Sequence, residues 1–168
     1  MTVSVVVPTV GRYSVRGVLD ALARQDGPPP FEVIVSIDGS SEPDFGGAVL
    51  HSQCNRLLLV QLGISQGVSV ARNRAVEQAA GEFVGFLDDD TVPESDWLNR
   101  LSKDLSGPDI AVAGRIVERA GGSVLGRLRA LAFENRHQTN LARIATTFPA
   151  SACTRGGEPA RLIRTPYR

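Results

Sequence analysis

Three adjacent carboxylates, Asp88, Asp89 and Asp90, follow directly on an apolar run over residues 83–87. Like charges at the end of a buried strand repel one another and are partly desolvated, so the arrangement is costly unless a cation or several donors meet it. In an extended strand end, residues two apart share a face. Asp88 and Asp90 would then converge on one ligand while Asp89 faces elsewhere. Oxygen-only ligands select Mg²⁺ or Mn²⁺ over zinc, and Mg²⁺ is commonly held by one or two carboxylates together with substrate phosphates. The competing reading is an acidic loop that solvates the strand end or complements the dipole of a following helix. Three carboxylates in a row after a fully apolar strand favour the cation.

The elements that must position these groups can be read from hydrophobic periodicity. Residues 3–7 form a continuous apolar run closed by Pro8, as in a strand buried on both faces. Val15, Val18, Leu19 and Leu22 recur at helical spacing within 14–25, and DGPPP breaks that helix. Residues 31–37 read as a second strand ending at Asp38-Gly39, and 56–61 as a third. Between them, 42–53 is ambiguous, with a helix after Pro43 as one reading. A helix over 67–80 presents Val68, Ala71, Ala75, Val76 and Ala79 as an apolar stripe, with Gly81 as its terminating residue. After the fourth strand, 83–87, Ser95 can cap a helix running to about Leu105, stopped by Gly107-Pro108. A fifth strand is expected over 110–117 and a helix over 123–137. Strands alternating with helices imply an α/β fold with a mostly parallel sheet and flanking helices. The ligand crevice of such a sheet lies outside the carboxyl ends of its strands. Pro8-Thr9, Asp38 and the Asp triplet all fall at those ends, which is the pattern of one binding edge.

Composition narrows the partners. With 168 residues, 42% of them hydrophobic, the chain can bury one core. Its formal net charge of zero points to no nucleic-acid partner. The charge is uneven, with a net −7 over 1–109 and +7 over 110–168; arginine-rich helix faces explain this more simply than a polyanion-binding tail. Cys54 and Cys153 lack metal-ligand spacing and read as free thiols in a reducing compartment. No run approaches the about 20 apolar residues of a membrane span. A cytoplasmic location, compatible with peripheral membrane association, is the expectation.

The stretches VSVVVPTVGR, EVIVSIDGSS and GVSVARNRAVEQAAGEFVGFLDDDTVPESDWLNRL together resemble family 2 glycosyltransferases, in that family's order and spacing, over roughly residues 2–117. The resemblance implies a GT-A, Rossmann-like nucleotide-diphosphate-sugar-binding fold, with 1–117 as the nucleotide-sugar-binding domain. It also implies metal-dependent, inverting transfer of a sugar to an acceptor hydroxyl, with a UDP-sugar favoured as donor and the acceptor unknown. Residue by residue, Pro8 and Thr9 match the turn lining the nucleotide pocket. Asp38 matches the acid that hydrogen-bonds the base, its alternative being an Asx turn with Gly39. Arg72 and Asn73 match a helix-start pair near the base or diphosphate, with an exposed helix face as the alternative for Asn73. Asp88 and Asp90 match the metal-binding DxD motif, Asp89 a contact to the ribose, and Trp97 an aromatic packed behind the metal loop.

The C-terminal part departs from that pattern. No Asp follows Asp109, and Glu118, Glu134 and Glu158 are the only later acids. The acidic base expected of the family is therefore not identifiable, and Glu134 is the only substitute, against its reading as a surface helix residue. Residues 118–168 read as a partial acceptor-side region with an Arg-rich, poorly ordered tail, so that the fold is expected to be incomplete at its C-terminus. The alternative function is a catalytically impaired nucleotide-sugar-binding fragment without general base or acceptor wall. Other enzyme classes fit less well. A dehalogenase-type phosphatase needs a later lysine and acidic pair than Lys103 and Asp109 supply, and a dinucleotide-binding enzyme needs a GxGxxG that VPTVGR lacks.

Overall fold

Strand Val3–Thr9 (β1) and strand Phe31–Ile37 (β2) are buried along their whole lengths, as mostly apolar central strands of a parallel sheet are; the buried polar Ser4, Glu32 and Ser36 are hydrogen-bonded. The structure is a computed structural model and describes residues 1–41, 43, 45, 47–104, 154–155, 158–159 and 161–164. Around these two strands lie α1 (Val15–Ala23), β3 (Cys54–Gln61), α2 (Val68–Glu77), β4 (Phe83–Phe86) and α3 (Trp97–Asp104). Short strands β5 (Thr154–Arg155), β6 (Glu158–Pro159) and β7 (Arg161–Arg164) follow, in a region where the sequence shows little periodicity. The five-stranded sheet has the order β3-β2-β1-β4-β7, with every neighbouring pair parallel. Strands β5 and β6 form a separate antiparallel pair. The expected strand at 110–117 and helix at 123–137 lie outside the described residues.

Alternation along the strands distributes the core to two faces. Val3, Val5 and Val7 of β1, Val33 and Val35 of β2, and Phe83 and Leu87 meet Val18, Leu19 and Leu22 of α1 and Trp97, Leu98 and Leu101 of α3. On the opposite face Val6, Ile34 and Val84 meet Ala75 and Ala79. Small side chains let α2 approach the sheet closely, and Ser36 Oγ donates to Ala71 O at 2.6 Å across that contact. The apolar stripe read for this helix is narrower than expected. Ala71, Ala75 and Ala79 are buried, whereas Val68 is 47% exposed and Val76 only partly buried. Pro8 is tolerated in the central strand for a local reason. Leu87 N donates to Val6 O, and alternate residues face alternate neighbours, so the missing N–H of Pro8 points to the β4 side beyond the last pair, Val6 with Phe86.

Three local expectations are corrected by long-range contacts. No helix forms after Pro43 among the described residues of that segment. Ser95 does not cap α3. Its Oγ donates to Asp26 Oδ2 at 2.6 Å, and the buried Gln25 serves the helix instead, Oε1 accepting from Leu98 N at 2.9 Å while Nε2 donates to Glu94 O at 2.7 Å. Gly81 is not a left-handed helix terminator, since its φ is not positive. A Cβ there would lie 2.6 Å from Ser4 N and Ser4 Oγ, so glycine is required by close approach to β1.

That approach belongs to a buried carboxylate clamp at the amino edge of the sheet. Glu32 is 4% exposed. Its Oε1 accepts from Ser4 Oγ and Ala80 N, both at 2.6 Å, and its Oε2 from Arg56 Nε at 2.7 Å. Arg56 also donates to Gln78 O at 2.7 Å, so one carboxylate joins β1, β2, β3 and the α2–β4 connection. Burial pushes the Glu32 carboxyl up, but the Ser4, Ala80 and Arg56 donors outweigh it and hold it below the ordinary glutamate value. A depressed folded-state pKa contributes stability that is present above the unfolded value of about 4.3 and is lost as pH falls through the folded one. Glu32→Gln should therefore lower unfolding stability at neutral pH by about 2 kcal/mol, the scale of a lost charged hydrogen bond. Denaturant titration from pH 7 down to 3 should show the difference between wild type and variant shrinking below about pH 4.

Candidate functional site

The strand order reverses at β1, with β2 and β3 on one side and β4 on the other. Outside the carboxyl ends of these strands lies an open cavity of about 280 Å³, where the crevice of a doubly wound sheet is expected. Pro8, Thr9, Val10 and Arg12 line it from the end of β1 and the β1–α1 turn. Asp38 follows β2, Val68 and Ala71 come from α2, and Asp88, Asp89 and Asp90 follow β4. The structure thus brings together Pro8, Thr9, Asp38 and all three aspartates, as the sequence implied. Arg72 reaches the same group through Asp88. Asn73, by contrast, lies on the exposed face of α2 and is not part of the lining. Glu134 lies outside the described residues.

The aspartates are not arranged as an extended strand end. Strand β4 stops at Phe86, and Thr91 N donates to Asp88 O at 3.0 Å, closing a turn over the triplet. The alternation argument for Asp88 and Asp90 therefore does not apply, and each carboxylate has its own environment. Asp88 Oδ1 receives Arg72 NH2 at 2.5 Å. Asp89 is 6% exposed, with Oδ2 accepting from Thr9 Oγ1 at 2.6 Å and Oδ1 3.5 Å from Arg12 NH1. Asp90 is exposed. Trp97 packs in the core beneath this turn, its ring 3.4 Å from the position of a Cβ on Gly85.

A hard cation fits this donor set in part. Asp88 and Asp90 offer oxygen ligands to one cavity, as Mg²⁺ or Mn²⁺ requires, and Asp88 shares its charge with Arg72. Among the described residues no group of three or more side chains could by itself hold a metal ion. A cation there would need further oxygens from a ligand and from water.

Asp38 acts on its surroundings differently from the Asx turn considered for it. Its Oδ1 accepts from Gln66 N at 2.6 Å, and its Oδ2 from Gly67 N at 3.0 Å and Ser65 Oγ at 3.1 Å. Gly67 has φ +94°, a conformation open to glycine that turns the chain into α2. The carboxylate thus ties the β3–α2 loop, which leads into the α2 residues that line the cavity, to the end of β2. Arg12, Val10, Val68 and Ala71 had no functional role assigned from sequence. The available signal for Arg12 was its place three residues beyond Thr9 in the turn after the first strand.

A family model described as glycosyl transferase family 2 matches residues 4–157. Over 120 residues the chain is 30% identical to glycosyltransferase AglE of Haloferax volcanii, covering 69% of this chain and 39% of that protein. Over 91 residues it is 34% identical to the pre-mycofactocin glycosyltransferase of Mycobacterium tuberculosis, covering 54% and 19%. Among solved structures, TarS of S. aureus superposes with a TM-score of 0.56 at 31% identity, covering 71% of this chain and 24% of TarS. TarS 1–349 in complex with UDP-GlcNAc superposes with a TM-score of 0.52 at 29% identity, covering 71% and 38%. The chain spans about two fifths or less of the length of each.

The Gln66 N–H, opposed by burial and joined by Gly67 N–H and the Ser65 hydroxyl, holds the Asp38 carboxyl below the ordinary aspartate value. The charged form, and with it the loop attachment, persists from neutral pH down through about 3.9 and is lost only as pH falls through the depressed value. Asp38→Ala should accelerate amide hydrogen exchange at Gln66 and Gly67 at pH 7 while leaving the α1 amides unchanged. Unchanged exchange at Gln66 would remove Asp38 as the holder of this loop.

Proposed function

The chain belongs to glycosyl transferase family 2, and on that premise we propose that its cavity binds the nucleotide-diphosphate end of a sugar donor, a UDP-sugar being favoured, for metal-dependent, inverting transfer to an acceptor hydroxyl. The fold is GT-A-like, a parallel sheet with flanking helices. The observation that carries the reading is the gathering of Pro8, Thr9, Asp38, Asp88, Asp89 and Asp90 around one cavity at the reversal of strand order. Support comes from the TarS structures, which share this region of the fold and were solved with UDP and with UDP-GlcNAc.

The residues divide the work. Asp38, with Val68 and Ala71 of α2, forms the wall against which a nucleobase would lie, and its carboxylate edge is the acceptor for a base N–H. Asp90 and the remaining oxygen of Asp88 would hold Mg²⁺ or Mn²⁺, with diphosphate oxygens completing the shell. A divalent cation bound there neutralises the charge that grows on the departing diphosphate. Arg72 fixes Asp88, which keeps one carboxylate in place as ligand charge arrives. Arg12 is the only cationic side chain lining the cavity among the described residues, and it faces the same anionic end. Inversion by a single displacement requires the acceptor oxygen to approach opposite the leaving diphosphate, helped by a general base.

Calorimetric titration with UDP tests the donor site directly. Wild type should bind UDP about tenfold more tightly with Mn²⁺ than without it, a difference of about 1.4 kcal/mol. Asp90→Ala should bring the two affinities together. Equal UDP affinity with and without Mn²⁺ in wild type would overturn the assignment of Asp88 and Asp90 to the metal. With UDP-sugar and acceptor, NMR of the product should show the anomeric configuration inverted.

A further inference from the structure

Thr9 and Asp89 are 80 residues apart in sequence, yet their side chains share a buried hydrogen bond of 2.6 Å. Thr9 is 4% exposed and Asp89 is 6% exposed. The hydroxyl is saturated. It donates its proton to Asp89 Oδ2 and accepts from Gly11 N at 3.0 Å and Arg12 N at 3.2 Å. A threonine hydroxyl has one donor and two acceptor sites, so none remains for a ligand. The Asp89 carboxylate is likewise turned inward, to Thr9 on one oxygen and toward Arg12 on the other.

We propose that the Thr9–Asp89 hydrogen bond is a latch that sets the spacing of the β1–α1 turn and the Asp88–Thr91 turn, making Thr9 and Asp89 positioning residues for the diphosphate site rather than contacts to the ribose. The proposal rests on the donor-binding reading above. Arg12 reaches the cavity from the first turn, and Asp90, beside Asp88 and Asp89, from the second. A diphosphate held through a cation at Asp90 and by the guanidinium of Arg12 would need the two at a fixed separation. Side chains that flex at the surface cannot supply that spacing, whereas a buried, fully committed hydroxyl–carboxylate pair can. Burial also makes the pair demanding. With the hydroxyl removed, a carboxylate that is nearly inaccessible to water loses its shortest donor and must move to find another.

Serine and valine at position 9 separate the hydroxyl from the volume. Thr9→Val keeps the shape and removes the donor, and Thr9→Ser keeps the donor and loses a methyl. With UDP and Mn²⁺ as probes, Thr9→Val should weaken Mn²⁺-supported UDP binding about tenfold, the scale of one hydrogen bond to a charged group. Binding of UDP without metal should change by no more than about twofold, and Thr9→Ser should stay within about twofold of wild type in both. In the unliganded chain, amide exchange at Thr91, whose N–H closes the aspartate turn, should quicken in Thr9→Val and not in Thr9→Ser. Wild-type affinity and unchanged Thr91 exchange in Thr9→Val would overturn the latch, as would equal losses in the serine variant. If wild type binds no UDP with or without Mn²⁺, the donor-binding reading fails on its own, and Thr91 exchange then decides the latch. Should Thr9→Val not fold, Asp89→Asn addresses the same bond from the other side. Quickened exchange at Gly11 and Arg12 there supports the latch, and unchanged exchange overturns it.

Discussion

The site depends on the position of β1 between β2 and β4. The chain lays down β1, β2 and β3 in one direction, then crosses through α2 to place β4 on the other side of β1. Right-handed crossovers in opposite directions place α1 and α2 on opposite faces of the sheet, as their two separate core clusters show. A crevice is left beyond the carboxyl ends of β1 and β4. Most of the polar lining comes from the turns that follow the strands, with Thr9 at the last position of β1. Three of the four acids lining the cavity come from the turn after β4, and the cationic lining residue from the turn after β1.

A second constraint runs through the structure. Every carboxylate brought out of water in the described residues is met by donors from a distant segment. Glu32 meets Ser4, Ala80 and Arg56. Asp38 meets Ser65, Gln66 and Gly67, and Asp89 meets Thr9. Desolvated charge is destabilising without such partners, so each carboxylate also dictates which loops must lie together. Glu32 does this at the amino edge of the sheet, where it consolidates the fold. Asp38 and Asp89 do it at the carboxyl edge, where the same physics shapes a ligand cavity. Asp90, left exposed at the cavity, is the acid best placed to meet a ligand.

Element type and the binding edge were legible in the sequence where the physical signal is local. Residues 31–37 read as a strand in the sequence, and the structure places β2 there without a shift. The helical spacing of Val15, Val18, Leu19 and Leu22 is the buried face of α1. The family motifs lay on the turns after these strands, so membership in family 2 and the GT-A-like sheet also followed from sequence. Helix ends were less legible. Gln25 rather than Ser95 serves the start of α3, because a side chain from another loop can supply what a local cap otherwise would.

Sequence alone therefore determined which residues gather at one edge of the sheet, since strand periodicity and turn position suffice to place Pro8, Thr9, Asp38 and Asp88–Asp90 there. Tertiary structure decided what each of them does. Strand alternation set Asp89 apart from Asp88 and Asp90 in the chain, but β4 ends early and the backbone turns. Asp88 is thereby set against Arg72, Asp89 against Thr9, and Asp90 toward the cavity. No pattern in the sequence names these partners, because they lie 16 and 80 residues away and come within reach only when the sheet assembles.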